Sequence, residues 1–193
     1  MPSLPSSFFS SGRERRLWTC AFVAVAAIYS TLGFAGTLAA RFAGTGVGEW
    51  IFAAACLLIL IAVVTQGLSR RPTAAEWGVA LGIAAVYALV FARMAIPTER
   101  SHLVEYGVVA ICIHAALVER AARGGEVPVP ALLTVAATGS LGALDEFIQI
   151  VVPNRTYDPV DMLFNVLAGV MAVGASVALA AARRWVAARK RTS

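Results

Sequence analysis

Leu17 to Ala40 runs for 24 residues without a charged side chain. Trp50 to Leu68 continues the pattern for 19 residues, Trp77 to Ala92 for 16, Val127 to Leu144 for 18 and Met162 to Ala182 for 21. A further block, Leu103 to Val118, is apolar except for Glu105 and His114. A helix that crosses a bilayer needs ~20 mostly apolar residues. Charged residues make up only 14% of the 193-residue chain, against roughly 25% in a soluble domain. These blocks predict an all-α, polytopic membrane bundle of six transmembrane helices, at about 17–40, 48–68, 74–93, 101–119, 128–150 and 159–182. The connections are too short to hold a soluble domain between the spans.

The basic residues set the expected orientation. With the N-terminus inside, the inner segments hold 12 of the 16 Lys and Arg residues and the outer segments hold 4 (Arg41, Arg93, Arg100 and Arg155). That is the positive-inside pattern, and it places both termini in the cytoplasm. The net charge of +5 is then a topology signal and an anionic-lipid contact, not a nucleic-acid interface. Arg13, Arg15 and Arg16 precede the first block as in a signal peptide, but the apolar run exceeds the roughly 7–15 residues of a signal h-region, which predicts a retained anchor. Residues 1–16 read as a disordered cytoplasmic N-terminus, 17–96 as three N-terminal spans, 97–182 as a three-helix region with the polar residues, and 183–193 as a basic cytoplasmic tail. Cys20, Cys56 and Cys112 lie in separate apolar blocks, without ligand spacing, and are expected as small buried hydrophobes.

Polar residues are concentrated where the apolar blocks end. Between Asp145 and Asn165 the chain carries Asp145, Glu146, Gln149, Arg155, Asp158, Asp161 and Asn165, with almost uncharged flanks. From Val127 a helix rises about 27 Å to Asp145 at ~1.5 Å per residue, close to the far edge of a ~30 Å hydrocarbon layer. Topology brings a second polar segment, Glu99, His102, Glu105 and Tyr106, to the same outer side. Residues three, four or seven apart share a helix face. Glu99, His102 and Tyr106 form one such stripe, Glu146 and Gln149 a second, with Asp145 paired to Gln149, and Asp158, Asp161 and Asn165 a third. Such groups are costly in lipid and mark a candidate functional site.

Each residue also has a plainer reading. Asp158 before Pro159 fits an N-cap with Pro at the first helical position. Asp145 and Glu146 are adjacent and point in different directions, so one can face water. Arg155 fits a counter-charge on the turn, His114 stands alone, and Glu49 and Glu76 read as solvated. Small residues on the fifth span (Gly139, Gly142) and the sixth (Gly169, Gly174) predict a tight hairpin.

The segment Glu99-Arg-Ser-His102-Leu-Val-Glu105-Tyr106-Gly107, and the later pattern Asp145-Glu146-x-x-Gln149-x-x-x-Pro153-x-Arg155-x-x-Asp158-x-x-Asp161-x-x-x-Asn165-x-x-x-Gly169, resemble the VanZ-like family of bacterial membrane proteins. The resemblance covers about residues 97–175. Many relatives carry Lys where this chain has Glu99, so no role of that Lys transfers. The resemblance implies a bacterial inner-membrane protein; the founding member is associated with teicoplanin resistance.

Three functions follow as expectations. A binder would capture an envelope lipid, glycan or glycopeptide headgroup, or a partner protein. An enzyme would use Glu146, His102 and Asp161 for acid–base work, with Arg155, Gln149, Asn165, Tyr106, Glu99, Glu105, Asp158 and Asp145 as ligand-binding groups. A structural cluster would only fix the hairpin. Oxygen ligands for a Mg²⁺-type ion are available at Asp145, Asp158 and Asp161, but spacing alone assigns no metal ligand. Expected partners are membrane lipids and an envelope lipid or glycan; no cofactor and no oligomeric state is assigned.

Overall fold

The computed structural model describes residues 8–42, 50, 72–93, 97–153 and 157–192. Among them the chain forms five helices and no strand: α1 (Gly12–Phe42), α2 (Ala74–Arg93), α3 (Pro97–Ala122), α4 (Pro130–Gln149) and α5 (Pro159–Thr192). Four contain stretches long and apolar enough to cross a membrane: Gly12–Gly33, Ser101–Ala122, Pro130–Gln149 and Pro159–Arg191. The expectation of six spans is therefore narrowed to four among the described residues. The second expected span falls on 48–68, of which only Trp50 is described. The apolar part of α2, Ala74–Val90, rises about 26 Å at ~1.5 Å per residue, a little short of the hydrocarbon layer.

Local chemistry sets the helix ends. Ser11 Oγ accepts from Glu14 N at 3.0 Å, so α1 begins at Gly12 rather than at Leu17 as expected. Thr73 and Glu76 form a capping box at the start of α2: Thr73 N donates to Glu76 Oε2 at 2.8 Å, and Glu76 N donates to Thr73 Oγ1 at 3.4 Å. Glu76, expected to be solvated, is buried by this role. At the end of α3, Gly124 adopts φ 84°; Gly124 N donates to Ala121 O and Gly125 N to Arg120 O. This is a Schellman motif with glycine in the left-handed position. Asp158 caps α5 as expected, with Val160 N donating to its Oδ1 at 2.8 Å. The basic tail continues α5 to Thr192 instead of ending it near Ala182; Ala, Arg and Lys are strong helix formers.

α3 is the central helix. Leu103, Tyr106, Val109, Ala110, Ile113 and Ala116 are buried along one stripe, and α3 packs against α1, α4 and α5. α4 and α5 form the tight hairpin that their small residues predict. A Cβ on Gly139 would stand 3.0 Å from Val166 Cγ2, and one on Gly169 would stand 3.4 Å from Thr138 Cβ. Leu81, Leu89, Leu132, Phe147, Leu163 and Val170 point outward, while His102, Thr138, Asp145, Glu146, Gln149 and Asn165 are buried. Apolar outside and polar inside is the arrangement that lipid favours. Cys20 lies on an outward face with Phe22 and Val23, not buried as expected; Cys112 is half-buried. Cys56 and Glu49 lie outside the described residues.

Candidate functional site

The site lies where α3 begins, α4 ends and α5 begins. His102 comes from the first turns of α3, Asp145, Glu146 and Gln149 from the last turns of α4, and Asp161 from the first turn of α5. Asp145 and Glu146 are both fully buried, so the expectation that one of the adjacent pair faces water is corrected. Adjacent residues lie about 100° apart around a helix, and the end of α4 has a helix on both of the flanks they occupy. Asp145 faces α3, where Tyr106 Oη donates to its Oδ2 at 3.0 Å. Glu146 faces the start of α5, where its Oε2 accepts from Asp158 N at 3.0 Å. Gln149 closes the layer: its Nε2 donates to Glu146 Oε1 at 2.9 Å and lies 3.5 Å from Asp145 Oδ1.

His102 sits among the three carboxylates. Its Nδ1 is 3.9 Å from Asp145 Oδ2, and its Nε2 is 4.0 Å from Glu146 Oε1 and 3.3 Å from Asp161 Oδ2. The imidazole stacks on Tyr106 with ring centroids 6.1 Å apart. His102 is only 3% exposed, and its Nδ1 has no hydrogen-bond partner. Asn165 lies one helical turn inward from Asp161, fully buried, with no partner for Nδ2 or Oδ1. It packs on Gly142: a Cβ there would stand 2.6 Å from Asn165 Nδ2.

Of the residues singled out in the sequence, His102, Tyr106, Asp145, Glu146, Gln149 and Asp161 thus meet. Asp158 does not join them through its carboxylate, which caps α5 at the exposed surface; only its backbone N–H reaches Glu146. The expected oxygen set of Asp145, Asp158 and Asp161 is therefore not assembled. Among the described residues, His102, Asp145 and Glu146 do form a metal-compatible group, with one donor atom from each lying within 4.8 Å of the others. Glu105 is half-buried on α3. Arg155 lies outside the described residues, as does the side chain of Glu99. His114 is a satisfied polar residue, with its Nδ1 3.4 Å from Thr134 Oγ1.

Sequence reasoning missed Tyr29 and the ion cluster at the other end of the bundle. Tyr29 Oη donates to Leu141 O at 2.8 Å, and Tyr106 Oη lies 3.4 Å from the same carbonyl. A hydroxyl in the middle of an apolar block is the signal that would have found it, because such a group needs a partner. At the other end of the bundle, Glu14 accepts from Arg120 Nε at 2.7 Å, and Glu119 accepts from Arg13 at 3.2 Å.

No family model, no curated protein and no solved structure matches this chain. Fold and site together define an all-helical membrane-embedded protein with a buried polar centre at one end of its bundle.

Proposed function

We propose that this chain is a VanZ-like protein of the bacterial inner membrane whose outward-facing polar site binds a cell-envelope ligand, a lipid or glycan headgroup. The observation that carries the reading is the meeting of His102, Asp145, Glu146, Gln149 and Asp161 from three helices at one end of a largely apolar bundle. A network needed only to hold a hairpin has no use for an imidazole nitrogen left without a partner, because each unsatisfied buried group costs about 1–3 kcal/mol. Six passes with both termini inside remain part of the proposal. The partition of basic residues supports them, as does the contact between the start of α1 and the end of α3 through Glu14 and Arg120.

The test is binding in nanodiscs, with a polyprenyl-linked sugar phosphate compared against phosphatidylglycerol. Saturable binding of the first is expected, weakened by about tenfold in Asp161→Asn, the loss of one charge-assisted contact. Equal binding by wild type and variant would sink the assignment. A parallel measurement of teicoplanin susceptibility, with and without the protein, tests the link to resistance.

An enzyme is the second reading, and a specific observation favours it. His102 Nε2 lies 3.3 Å from Asp161 Oδ2, a spacing suited to a carboxylate that orients a general base. Turnover of the sugar phosphate by wild type but not by His102→Gln would move the assignment from binder to enzyme.

A further inference from the structure

We propose that His102, Asp145 and Glu146 hold a single divalent first-row cation, with Asp161 holding the far ring nitrogen of His102. The contact between His102 Nδ1 and Asp145 Oδ2, at 3.9 Å, is too long for a hydrogen bond, which spans about 2.7–3.2 Å. It suits two donors of one ion. Ligands about 2.1 Å from a common centre stand about 3.4 Å apart at tetrahedral angles and about 4.2 Å apart when opposite. One donor atom from each of the three residues lies within 4.8 Å of the others, so movements of at most about 0.7 Å at each donor reach the tetrahedral spacing.

The independent observation is His102 itself. It is 3% exposed, and its Nδ1 lacks a hydrogen-bond partner while Asp145 Oδ2 stands opposite. A neutral imidazole presents a lone pair on one of its nitrogens, and a carboxylate presents only lone pairs. With Nε2 donating to Asp161, a neutral ring turns its Nδ1 lone pair to Asp145 Oδ2 and the two repel, whereas an ion between them takes both as ligands. The ring nitrogen away from the metal is then held by a carboxylate, the usual support for a ligating histidine. A mixed nitrogen and oxygen set favours Zn²⁺ or Mn²⁺ over Mg²⁺ and Ca²⁺, which prefer oxygen alone. The ion's seat rests on these side chains; its use, as an electrophile for the anionic oxygens of an envelope headgroup, rests on the function proposed above.

The experiment uses the full chain in detergent, stripped by chelator, dialysed against Zn²⁺ or Mn²⁺ with excess Mg²⁺, and measured by elemental analysis. About one Zn²⁺ or Mn²⁺ per chain is expected. Affinity falls by about tenfold or more in His102→Gln and Glu146→Gln and is unchanged in Glu126→Gln, an exposed loop residue. Folded wild type that retains no ion overturns the proposal, and so does undiminished binding by His102→Gln. Should that variant fail to fold, pulsed electron paramagnetic resonance of the Mn²⁺-loaded wild type decides: imidazole nitrogen coupling is expected, and its absence overturns the assignment. Ion loading without headgroup binding sinks the functional proposal alone. Headgroup binding that is as tight in ion-free as in ion-loaded protein overturns the ion's use as that electrophile.

Discussion

Single side chains in this protein matter according to what they leave unpaired. Tyr106 Oη donates to the buried Asp145 carboxylate, whereas Tyr29 Oη donates to a backbone carbonyl that α4 already uses. Hydrogen bonds to charged groups contribute about 1.5–3 kcal/mol and neutral ones about 0.5–1.5 kcal/mol. Tyr106→Phe is therefore expected to lower the melting temperature in detergent more than Tyr29→Phe, and the reverse order would refute a charged Asp145 at this position. Gly142 gives a steric counterpart. A valine there drives into Asn165, and overpacking costs about 1–3 kcal/mol. Gly142→Val should lose stability, and Asn165→Gly in the same chain should recover part of it; strictly additive losses would refute the contact. The stripes His102/Tyr106 and Glu146/Gln149 were legible as helical spacing. The burial of both Asp145 and Glu146 was not, because it depends on helices that flank α4 on two sides, and spacing within one helix carries no record of its neighbours.

At the scale of the element, the apolar blocks located the helices but not their ends. Ala74–Arg93 falls where the block predicts, yet α1 starts five residues before Leu17 and α5 runs ten residues beyond Ala182. Hydropathy records where lipid lies, whereas a helix stops where its backbone groups find other partners. The Gly124–Gly125 break was legible as a helix stop; the Thr73–Glu76 capping box was not, because a Glu at the edge of an apolar block reads as solvated. The start of α1 is tied to α3 by Glu14, which accepts from Arg120, Ser10 and Trp18. Arg120→Met leaves the buried Glu14 carboxylate short of one donor, at a cost of about 1–3 kcal/mol. Adding Glu14→Gln should recover part of that loss, because a neutral amide needs no counter-charge. Equal melting temperatures for wild type and Arg120→Met would show that the pair does not hold α1 in place.

For the whole molecule, the arrangement of ends is the strongest constraint on topology. Glu14 meets Ser10 and Arg120 at one end of the bundle, and His102 meets Asp145 and Asp161 at the other. α4 alone connects the two ends between Glu126 and Tyr157, so a reagent that cannot cross the membrane should separate them. In a chain whose three cysteines are replaced, Tyr157→Cys is expected to react from outside the cell. Ser10→Cys and Glu126→Cys are expected to react only after permeabilisation. The two protected positions flank α1, α2, α3 and residues 43–71, so their agreement requires an even number of passes between them, as the partition of basic residues predicts. Labelling of Ser10→Cys from outside while Glu126→Cys stays protected would break the six-pass proposal and leave α3, α4 and α5 intact. Labelling of Glu126→Cys together with protection of Tyr157→Cys would invert the bundle. The polar site would then face the cytoplasm, its ligand could no longer be an outer envelope headgroup, and only the chemistry of His102 and its carboxylates would carry over.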